Sequence, residues 1–548
     1  MMLRIIILCL SAFLNLCFAQ KSRPADKEID SLFSFIDNKG PGLSVAVVQN
    51  NQIIYDKGIG YANLEYDVLN TNRGKFDIAS IAKQFTASCI WVLINQNKIS
   101  LDDDIRKFLP EIPDYDEVIR IRHLLNHTSG IRGYTYLMEL SGFDGHKNYF
   151  DNQTIFELAC KQQNLNNVPG EKVIYGNTNF NLLAIIIERI TGVKFSAFAN
   201  KNIFIPLNMK DTFYRDNEKE LVKNRVVGYE KVAKNEYHRF PRVQQSHGAG
   251  SLWSSVSDLV KWTNLFADAK GEYRGLVDFL ITKDMLTTGE ISSYSRGIMV
   301  DDYKGYETIH HSGFTSGYQS QVITVPELKI SVIILTNLES INPSPISYKI
   351  LDLFLKEKVK ERKYSDDKME YRSEKLIEFK GDYQELNSDL RMTIQYENDT
   401  LKARSSFGKS FTSLKRLDEN TFCRVDNQSV KYKFGDNSYD LIVYFGGTPF
   451  YFKHASYIKP SKVKIKDYVG DYFSEELNVK YRLFIEEGEL YLSYPNNSNI
   501  KLNSGQKDEF GTGSRMLLSF NRSDKNQVNS FSVASGGVVK DILFQKIK

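Results

Sequence analysis

Residues 76–87 read "FDIASIAKQFTA" and contain a serine and a lysine three positions apart, Ser80 and Lys83. Apolar residues recur around them at helical spacing, so the stretch predicts a helix that begins near the serine. Positions i and i+3 share one face of a helix, and the free N–H groups at its N-terminus favour developing negative charge. The stretch is therefore a candidate nucleophile with its base.

The Ser-x-x-Lys pattern occurs seven times in the chain, so the pattern alone does not identify a site. A serine hydroxyl is protonated at neutral pH and needs a neighbouring base to act as a nucleophile. A lysine is such a base only if burial or a nearby cation lowers its pKa from about 10.4. The other six matches lie in linker or strand-and-loop sequence, where positions i and i+3 do not share a face; they begin at Ser365, Ser406, Ser456, Ser461, Ser498 and Ser504.

A second motif, "IYGN", places Tyr175 and Asn177 in a loop directly before a strongly helical segment. Acyl transfer from a serine needs a group that passes the proton on to the leaving group, and a tyrosine is suited to this if cations lower its pKa of about 10. Lys83 would be such a cation. Tyr175 is therefore the predicted relay.

A third motif, "HHSGF", places His311 and Gly313 on a strand that leads into a glycine-rich turn. A glycine there lets a substrate approach the backbone closely. The N–H groups of Phe314 and Ser80 would then form an oxyanion hole. His310 is the alternative to His311 if the register of the strand is shifted by one residue.

The composition excludes some classes of protein. The chain has 548 residues, 25% of them charged, and a formal charge of +4, with no basic block and no Cys/His finger, so nucleic acid is not the predicted partner. His123 and His127 are four apart but lack a third ligand in a metal pattern, so a structural role near a turn is predicted. We expect no metal and no cofactor.

The N-terminus has the layout of a secretory signal peptide. Residues 1–19 contain an early arginine, an apolar run and a final small residue, Ala19. The run is shorter than the ~20 residues that a membrane span needs. We predict cleavage after Ala19 and a secreted or periplasmic protein without a membrane span.

The rest of the chain divides into two kinds of sequence. Residues 25–356 alternate between strand and helix patterns, including a hairpin signal at Asn50–Asn51, and strands at both ends predict an α+β domain with a mostly antiparallel sheet flanked by helices. A charged linker follows at 357–375. Beyond it the sequence predicts only strands, and the segment that begins at Phe379 resembles the segment that begins at Tyr468. The alternatives are two β-barrel modules, 376–460 and 461–548, or one duplicated β domain, 376–548.

Taken in order, Ser80-x-x-Lys83, Tyr175-x-Asn177 and His311-x-Gly313 resemble the serine β-lactamase and penicillin-recognising superfamily, and its class C β-lactamase-like branch in particular. The likeness includes "RHLLNHTSGI", "VPGEKVIYGNTNFNLLAIIIERITG" and "GAGSLWSSVSDLVKW". It implies the β-lactamase/transpeptidase-like fold, an acylated serine, a lysine and tyrosine that move the proton, an asparagine that holds the acyl amide, and a third motif on the opposite wall.

The third motif departs from the pattern of β-lactamases and D,D-peptidases, which usually begin it with lysine. A histidine is mostly neutral at pH 7 and offers no permanent cation to a substrate carboxylate. His-x-Gly at this place resembles the esterase-like members and D-aminopeptidases of the superfamily. The repeated β region is similar to the C-terminal barrels and lipocalin-like modules found behind such domains.

The sequence therefore predicts a secreted serine hydrolase that cleaves an ester or amide bond of a small molecule or peptide, including D-amino-acid peptides. One alternative is a β-lactamase or D,D-carboxypeptidase. The other is a non-catalytic protein that binds peptidoglycan or lipid on the same fold.

Overall fold

The computed structural model describes residues 24–144, 148–217, 219–240, 244–355, 376–436, 438–458 and 463–547. The predicted signal peptide, 1–19, and the whole of the predicted linker, 357–375, lie outside the described residues. No helix within these ranges combines the length and apolar character needed to cross a bilayer.

Fifteen strands are described before residue 356. They are β1 (Leu43–Gln49), β2 (Gln52–Ile59), β3 (Tyr61–Asn63), β4 (Val68–Leu69), β5 (Phe76–Asp77), β6 (Phe150–Asp151), β7 (Phe213–Tyr214), β8 (Tyr229–Ala233), β9 (Glu236–Arg239), β10 (Gln244–Gln245), β11 (Leu252–Ser254), β12 (Met299–Tyr303), β13 (Tyr306–Thr315), β14 (Tyr318–Val325) and β15 (Ile330–Thr336).

The helices of the same region are mostly inserted between β2 and β12. They are α1 (Pro24–Leu32), α2 (Ala82–Asn95), α3 (Ile121–Leu125), α4 (Tyr134–Leu140), α5 (Asn152–Cys160), α6 (Asn177–Thr191), α7 (Phe195–Ala199), α8 (Val256–Asp268), α9 (Glu272–Ile281) and α10 (Pro343–Asp352).

The main sheet joins the two ends of this region. Its strand order is β12-β13-β14-β15-β1-β2, all antiparallel, and β1 pairs with β15 from Leu43↔Thr336 to Gln49↔Ile330. The β1–β2 hairpin turns at Asn50 and Asn51, whose φ angles of 52° and 63° are those that asparagine tolerates in such turns. The predicted α+β class and the predicted antiparallel sheet are confirmed.

Both faces of the main sheet are covered, and its central strands β1 and β15 are almost entirely buried. Successive side chains of a strand point to opposite faces. Val45 and Val47 of β1 belong to one apolar cluster, with α10, whereas Ala46 and Val48 belong to a larger one that contains α2, α6 and α8. This larger cluster fixes α2 and α6, the helices that carry the first two motifs, against the sheet that carries the third.

Residues after 375 form two separate all-β units. The first is a closed barrel of eight strands: β16 (Gly381–Glu385), β17 (Arg391–Glu397), β18 (Thr400–Ser405), β19 (Thr412–Arg416), β20 (Thr421–Arg424), β21 (Val430–Asp436), β22 (Tyr439–Phe445) and β23 (Thr448–His454).

The second unit is a nine-stranded sheet with the order β27-β26-β25-β24-β32-β31-β30-β29-β28. Its strands are β24 (Gly470–Ser474), β25 (Val479–Glu486), β26 (Glu489–Tyr494), β27 (Asn497–Lys501), β28 (Asn503–Ser504), β29 (Glu509–Gly511), β30 (Met516–Arg522), β31 (Val528–Ser535) and β32 (Val539–Lys546). The predicted all-β, barrel-like C-terminal region is confirmed.

The repeated Gly-Asp-Tyr has the same structural role in both units. Tyr383 and Tyr472 are buried in the first strand of their units, and each phenol donates a hydrogen bond to the carbonyl four residues earlier, at 2.9 Å to Phe379 and 2.8 Å to Tyr468. A buried tyrosine needs a partner for its hydroxyl. The repeat therefore preserves a hydrogen bond that connects the core of each unit to the segment directly before its first strand.

The second unit packs directly against the helical part of the first region. Leu137 and Leu140 of α4 belong to its apolar core, and the Tyr481 phenol donates to the carbonyl of Leu140 at 2.7 Å. A fully buried guanidinium, that of Arg132, forms an ion pair with Glu476, which also accepts the N–H of Gln163 at 2.8 Å. This contact holds the second β unit beside the site described below.

We expect Glu476→Gln to lower the free energy of unfolding by about 3–5 kcal/mol, because it leaves a buried guanidinium without its counter-charge. Urea denaturation followed by tryptophan fluorescence measures the change. Glu475→Gln, at the exposed neighbouring position, is the matched control. Equal stability of the two variants would contradict a structural role for the buried pair.

Candidate active site

Ser80 lies in a short 3-10 turn, Ala79–Ile81, that runs directly into α2. Ala79 has a φ of 48°, in the left-handed region, and its N–H donates to Asp77 Oδ1 at 2.8 Å. Non-glycine residues adopt this conformation at a cost, which the surrounding structure must offset. The turn thus holds the half-buried Ser80 at the amino end of α2, close to the predicted helix start.

Lys83 is completely buried and its amine has three partners. Its Nζ atom is 2.9 Å from Ser80 Oγ, 2.8 Å from Asn177 Oδ1 and 2.9 Å from the carbonyl oxygen of Ala249. A neutral amine has two N–H donors and one lone pair. Since Asn177 and Ala249 offer only acceptors to it, the lone pair is left to face the hydroxyl of Ser80.

Burial also sets the charge of this amine. Desolvation holds the pKa of Lys83 well below its ordinary value of 10.5. Removing a charged group from water disfavours the charged form, and no carboxylate in the described part of the chain forms an ion pair with Lys83. The amine is therefore suited to accept a proton from Ser80 near neutral pH.

Tyr175 lies in the loop before α6, and its phenol is hydrogen-bonded to Ser80. Burial raises the pKa of Tyr175, and the hydrogen bond with Ser80 opposes this only in part. The Lys83 amine lies 4.9 Å from the ring centroid. Burial dominates, so Lys83 does not lower the tyrosine's pKa as the sequence predicted. The geometry favours Lys83 as base and Tyr175 as proton donor.

His311 lies on β13 and faces the same site. Its Nε2 atom is 2.9 Å from the Tyr294 hydroxyl, and its ring centroid is 6.2 Å from that of Tyr175. Burial, reinforced by Lys83, lowers the pKa of His311 to about 3, so the ring is neutral. His310 packs instead toward Tyr348 on the other face of the sheet. The register therefore places His311, and not His310, in the site.

Gly313 lies where β13 crosses the turn of Ser80. A Cβ atom at this position would be 2.3 Å from both the carbonyl oxygen of Ile78 and Ser320 Oγ. No side chain fits there, so glycine is required for the close approach of strand and turn. Phe314, the next residue, is 66% exposed and lines the same cleft as Ser80. The backbones predicted to form the oxyanion hole are thus neighbours.

The cleft in front of Ser80 has a volume of about 690 Å³. Asn177 and Phe314 form parts of its walls, and four of the aromatic side chains of the 134–150 segment line it: Tyr134, Tyr136, Phe143 and Phe150. Asn496 and Asn497 of the second β unit close its far end. The substrate space is therefore shared between the first region and the second β unit.

Sequence reasoning missed three groups of this site. The carbonyl oxygen of Ala249 accepts a hydrogen bond from the amine of Lys83, and the hydroxyl of Tyr294 is hydrogen-bonded to His311. His127, predicted as a structural residue near a turn, packs its ring 4.3 Å from that of Tyr175 and accepts the N–H of Gly176 at 3.3 Å. "GAGSLW" was a visible signal for Ala249, but nothing in the sequence pointed to Tyr294.

The profile of the Beta-lactamase family matches residues 24–354, which is more than half of the chain. The chain belongs to the Beta-lactamase family. Its residues are 26% identical over 330 positions to the protein Flp of Staphylococcus aureus (strain MRSA252), a match that covers 58% of this chain and 64% of Flp. The similarity thus spans less than two thirds of that relative.

Two solved structures share the fold. The octameric penicillin-binding protein homologue from Pyrococcus abyssi aligns with a TM-score of 0.53 at 23% identity, over 78% of this chain and 99% of that one. EstCE1, a hydrolase with promiscuous acyltransferase activity, aligns with a TM-score of 0.52 at 18% identity, over 60% of this chain and 97% of its own. The alignment with the Pyrococcus abyssi structure extends beyond the family domain, residues 24–354. The comparisons thus show the family and the fold of the domain that carries Ser80.

We expect Lys83→Met to slow labelling of Ser80 by a fluorophosphonate about 10²–10⁴-fold, the range of a lost general base. In the wild type, the labelling rate should rise with pH through the lowered pKa of Lys83 and show no inflection near 10.5. The rate at which ester turnover is lost after the probe is added gives the labelling rate. This rate is compared between the variant and the wild type and, for the wild type, between pH values.

Lys98→Met, on the exposed segment after α2, is the control for loss of a lysine. Unchanged labelling of the Lys83 variant would show that another group activates the serine.

Proposed function

We propose that the protein is a serine hydrolase that cleaves small esters or amides through an acyl-enzyme on Ser80. The observation that carries this proposal is the completely buried Lys83 amine 2.9 Å from Ser80 Oγ, where burial holds the pKa of Lys83 well below its ordinary value. A protein that only binds ligands does not require a desolvated lysine with its lone pair directed at a serine. This geometry favours an enzyme over the alternative of a binding protein.

Acylation begins when Ser80 Oγ attacks the substrate carbonyl and its proton passes to Lys83 Nζ. The carbonyl oxygen gains negative charge, which the N–H groups of Ser80 and Phe314 stabilise. Tyr175 then donates its phenolic proton to the leaving group as the bond to the carbonyl carbon breaks. The lysine returns its proton to the tyrosine, so both groups regain their starting state.

Deacylation repeats these transfers with water in place of the serine. Lys83 accepts a proton from water as the water oxygen attacks the acyl carbon. The bond to Ser80 Oγ breaks, and the serine is reprotonated through Tyr175. The products are a carboxylic acid and the free enzyme. An alcohol or amine in place of water would make the same site an acyltransferase.

The third motif favours uncharged esters and amides over β-lactams. Its first residue, His311, is neutral and bonded to Tyr294, so this wall offers no permanent cation to the carboxylate of a penicillin. A fixed charge pair of this kind is worth considerably more than a neutral contact. We therefore place esterase or D-amino-acid amidase activity ahead of β-lactamase or D,D-carboxypeptidase activity.

A panel of substrates tests the proposal: a short-chain nitrophenyl ester, a D-alanyl anilide and a chromogenic cephalosporin. We expect turnover of the ester or the anilide to exceed that of the cephalosporin. Ser80→Ala should lower it at least about 10³-fold, because the nucleophile is lost. Ser34→Ala, at an exposed position, is the matched control.

Faster turnover of the cephalosporin than of the other two would instead support the β-lactamase alternative. If none of the three is hydrolysed in a Ser80-dependent manner, the binding-protein alternative gains.

A further inference from the structure

A second cavity opens beside the site and is not used by the chemistry above. Its volume is about 190 Å³, and Tyr175, Gly176 and Asn177 form one side of it. Thr135, Tyr136 and Asn177 line both this cavity and the main cleft. Since ligand pockets are usually ~300–1,000 Å³, this one suits a fragment of a substrate rather than a whole one.

Both β units build the opposite side of this cavity. The first barrel supplies Glu385 and the start of β23 with Phe450, and the second supplies Arg515 and the β31–β32 turn. That turn is close-packed: a Cβ atom on Gly536 would be 2.2 Å from the Tyr136 ring. The Gly133 N–H donates to the carbonyl of Val538 at 3.0 Å. The cavity is therefore part of the folded architecture.

Arg515 is the cation of this cavity. One Nη2 N–H donates to the carbonyl of Gly536 at 2.7 Å, and the guanidinium carbon lies 5.2 Å from the Phe450 ring centroid. Its buried Nε has no hydrogen-bond partner among the described residues. A guanidinium has five N–H donors in a planar fork that matches a carboxylate. The side chain thus retains donors for an anionic ligand.

Glu385 is the acidic group of the cavity, and its own bonds limit its influence. Its Oε2 atom accepts the Ser388 hydroxyl at 2.6 Å and the Asn387 N–H at 3.1 Å. Burial raises the pKa of Glu385 to about 7, and Arg515 and Lys172 oppose that rise. On the acid side of this value the carboxyl is mostly neutral, so Arg515 decides the charge of the cavity.

We propose that this cavity is a leaving-group subsite in which Arg515 binds a carboxylate carried by the leaving group. The inference rests on the proposed function, because Tyr175, which borders the cavity, is the residue that protonates the leaving group. The cation absent from the third motif is then supplied by the second β unit, on the Tyr175 side of the nucleophile. The substrates are esters or amides whose released half is a small carboxylate, such as an amino acid.

A pair of matched esters tests the subsite: the acetyl esters of 3-hydroxybenzoate and of methyl 3-hydroxybenzoate, which differ in the leaving-group charge. Assays on the acid side of the Glu385 pKa should show a higher kcat/KM for the carboxylate. Arg515→Gln should reduce that preference about 10–100-fold, the range of a charge-assisted hydrogen bond. The ratio of kcat/KM for the two esters separates this effect from a general loss of activity, and a circular-dichroism melting curve like that of the wild type shows that the variant is folded.

Two further variants make the result decisive. Arg515→Lys keeps the charge and should restore part of the preference. Arg482→Gln removes an exposed arginine from the same β unit and should leave the preference unchanged. If Arg515→Gln keeps the wild-type preference, or the wild type has none, the subsite is overturned while the hydrolase stands. If neither ester is hydrolysed in a Ser80-dependent manner, the proposed function itself fails.

Discussion

The burial of one amine is the constraint on which the site depends. Lys83 is removed from water by the contacts of α2, α6 and the main sheet, and bonds to Ser80, Asn177 and Ala249 offset part of this cost. These three groups come from separate parts of the chain. Because burial disfavours the charged form of the lysine, the fold itself lowers the pKa of the base. Packing of the apolar core and reactivity of the serine are thus two consequences of the same arrangement.

The same burial gives the lysine and the tyrosine different roles in proton transfer. Burial raises the pKa of Tyr175 and Lys83 does not reverse this, so the phenol keeps its proton and serves as a donor. The neutral ring of His311 fits this environment, since a second cation beside Lys83 would be unfavourable. The three motifs therefore form a site with little net charge.

Much of this could be predicted from the sequence because it depends on local pattern. The period of α2, the helix α6 ending before Gly192, and the apolar strands β14 and β15 follow from which residues face the core. The spacing of Ser80 and Lys83 also fixes their contact, since it is a property of one helix. The order of the three motifs then indicated the family.

The remainder depends on contacts between distant segments, which spacing does not encode. Tyr294 reaches His311 only because the loop before β12 folds across the sheet. Arg515 lies more than 300 positions from Tyr175 in the chain, yet both line one cavity. The hydrophobic periodicity of the sequence does not predict that two such distant residues lie close together.

The two β units thus belong to the site as well as to the scaffold. The second unit closes the main cleft with Asn496 and Asn497, and both units enclose the smaller cavity. The ion pair of Arg132 with Glu476 anchors this arrangement next to α4. The space around Ser80 is therefore lined partly by residues outside the Beta-lactamase family domain.

The central claim is that Ser80 forms a covalent acyl-enzyme, and a 4-nitrophenyl carbamate tests it most directly because carbamoyl-enzymes hydrolyse slowly. The protein is incubated with the reagent, digested, and mapped by mass spectrometry. We predict one carbamoyl group per chain on Ser80, formed with release of one nitrophenol. A carbamoyl group on another residue, or nitrophenol release that leaves Ser80 unmodified, would contradict the account.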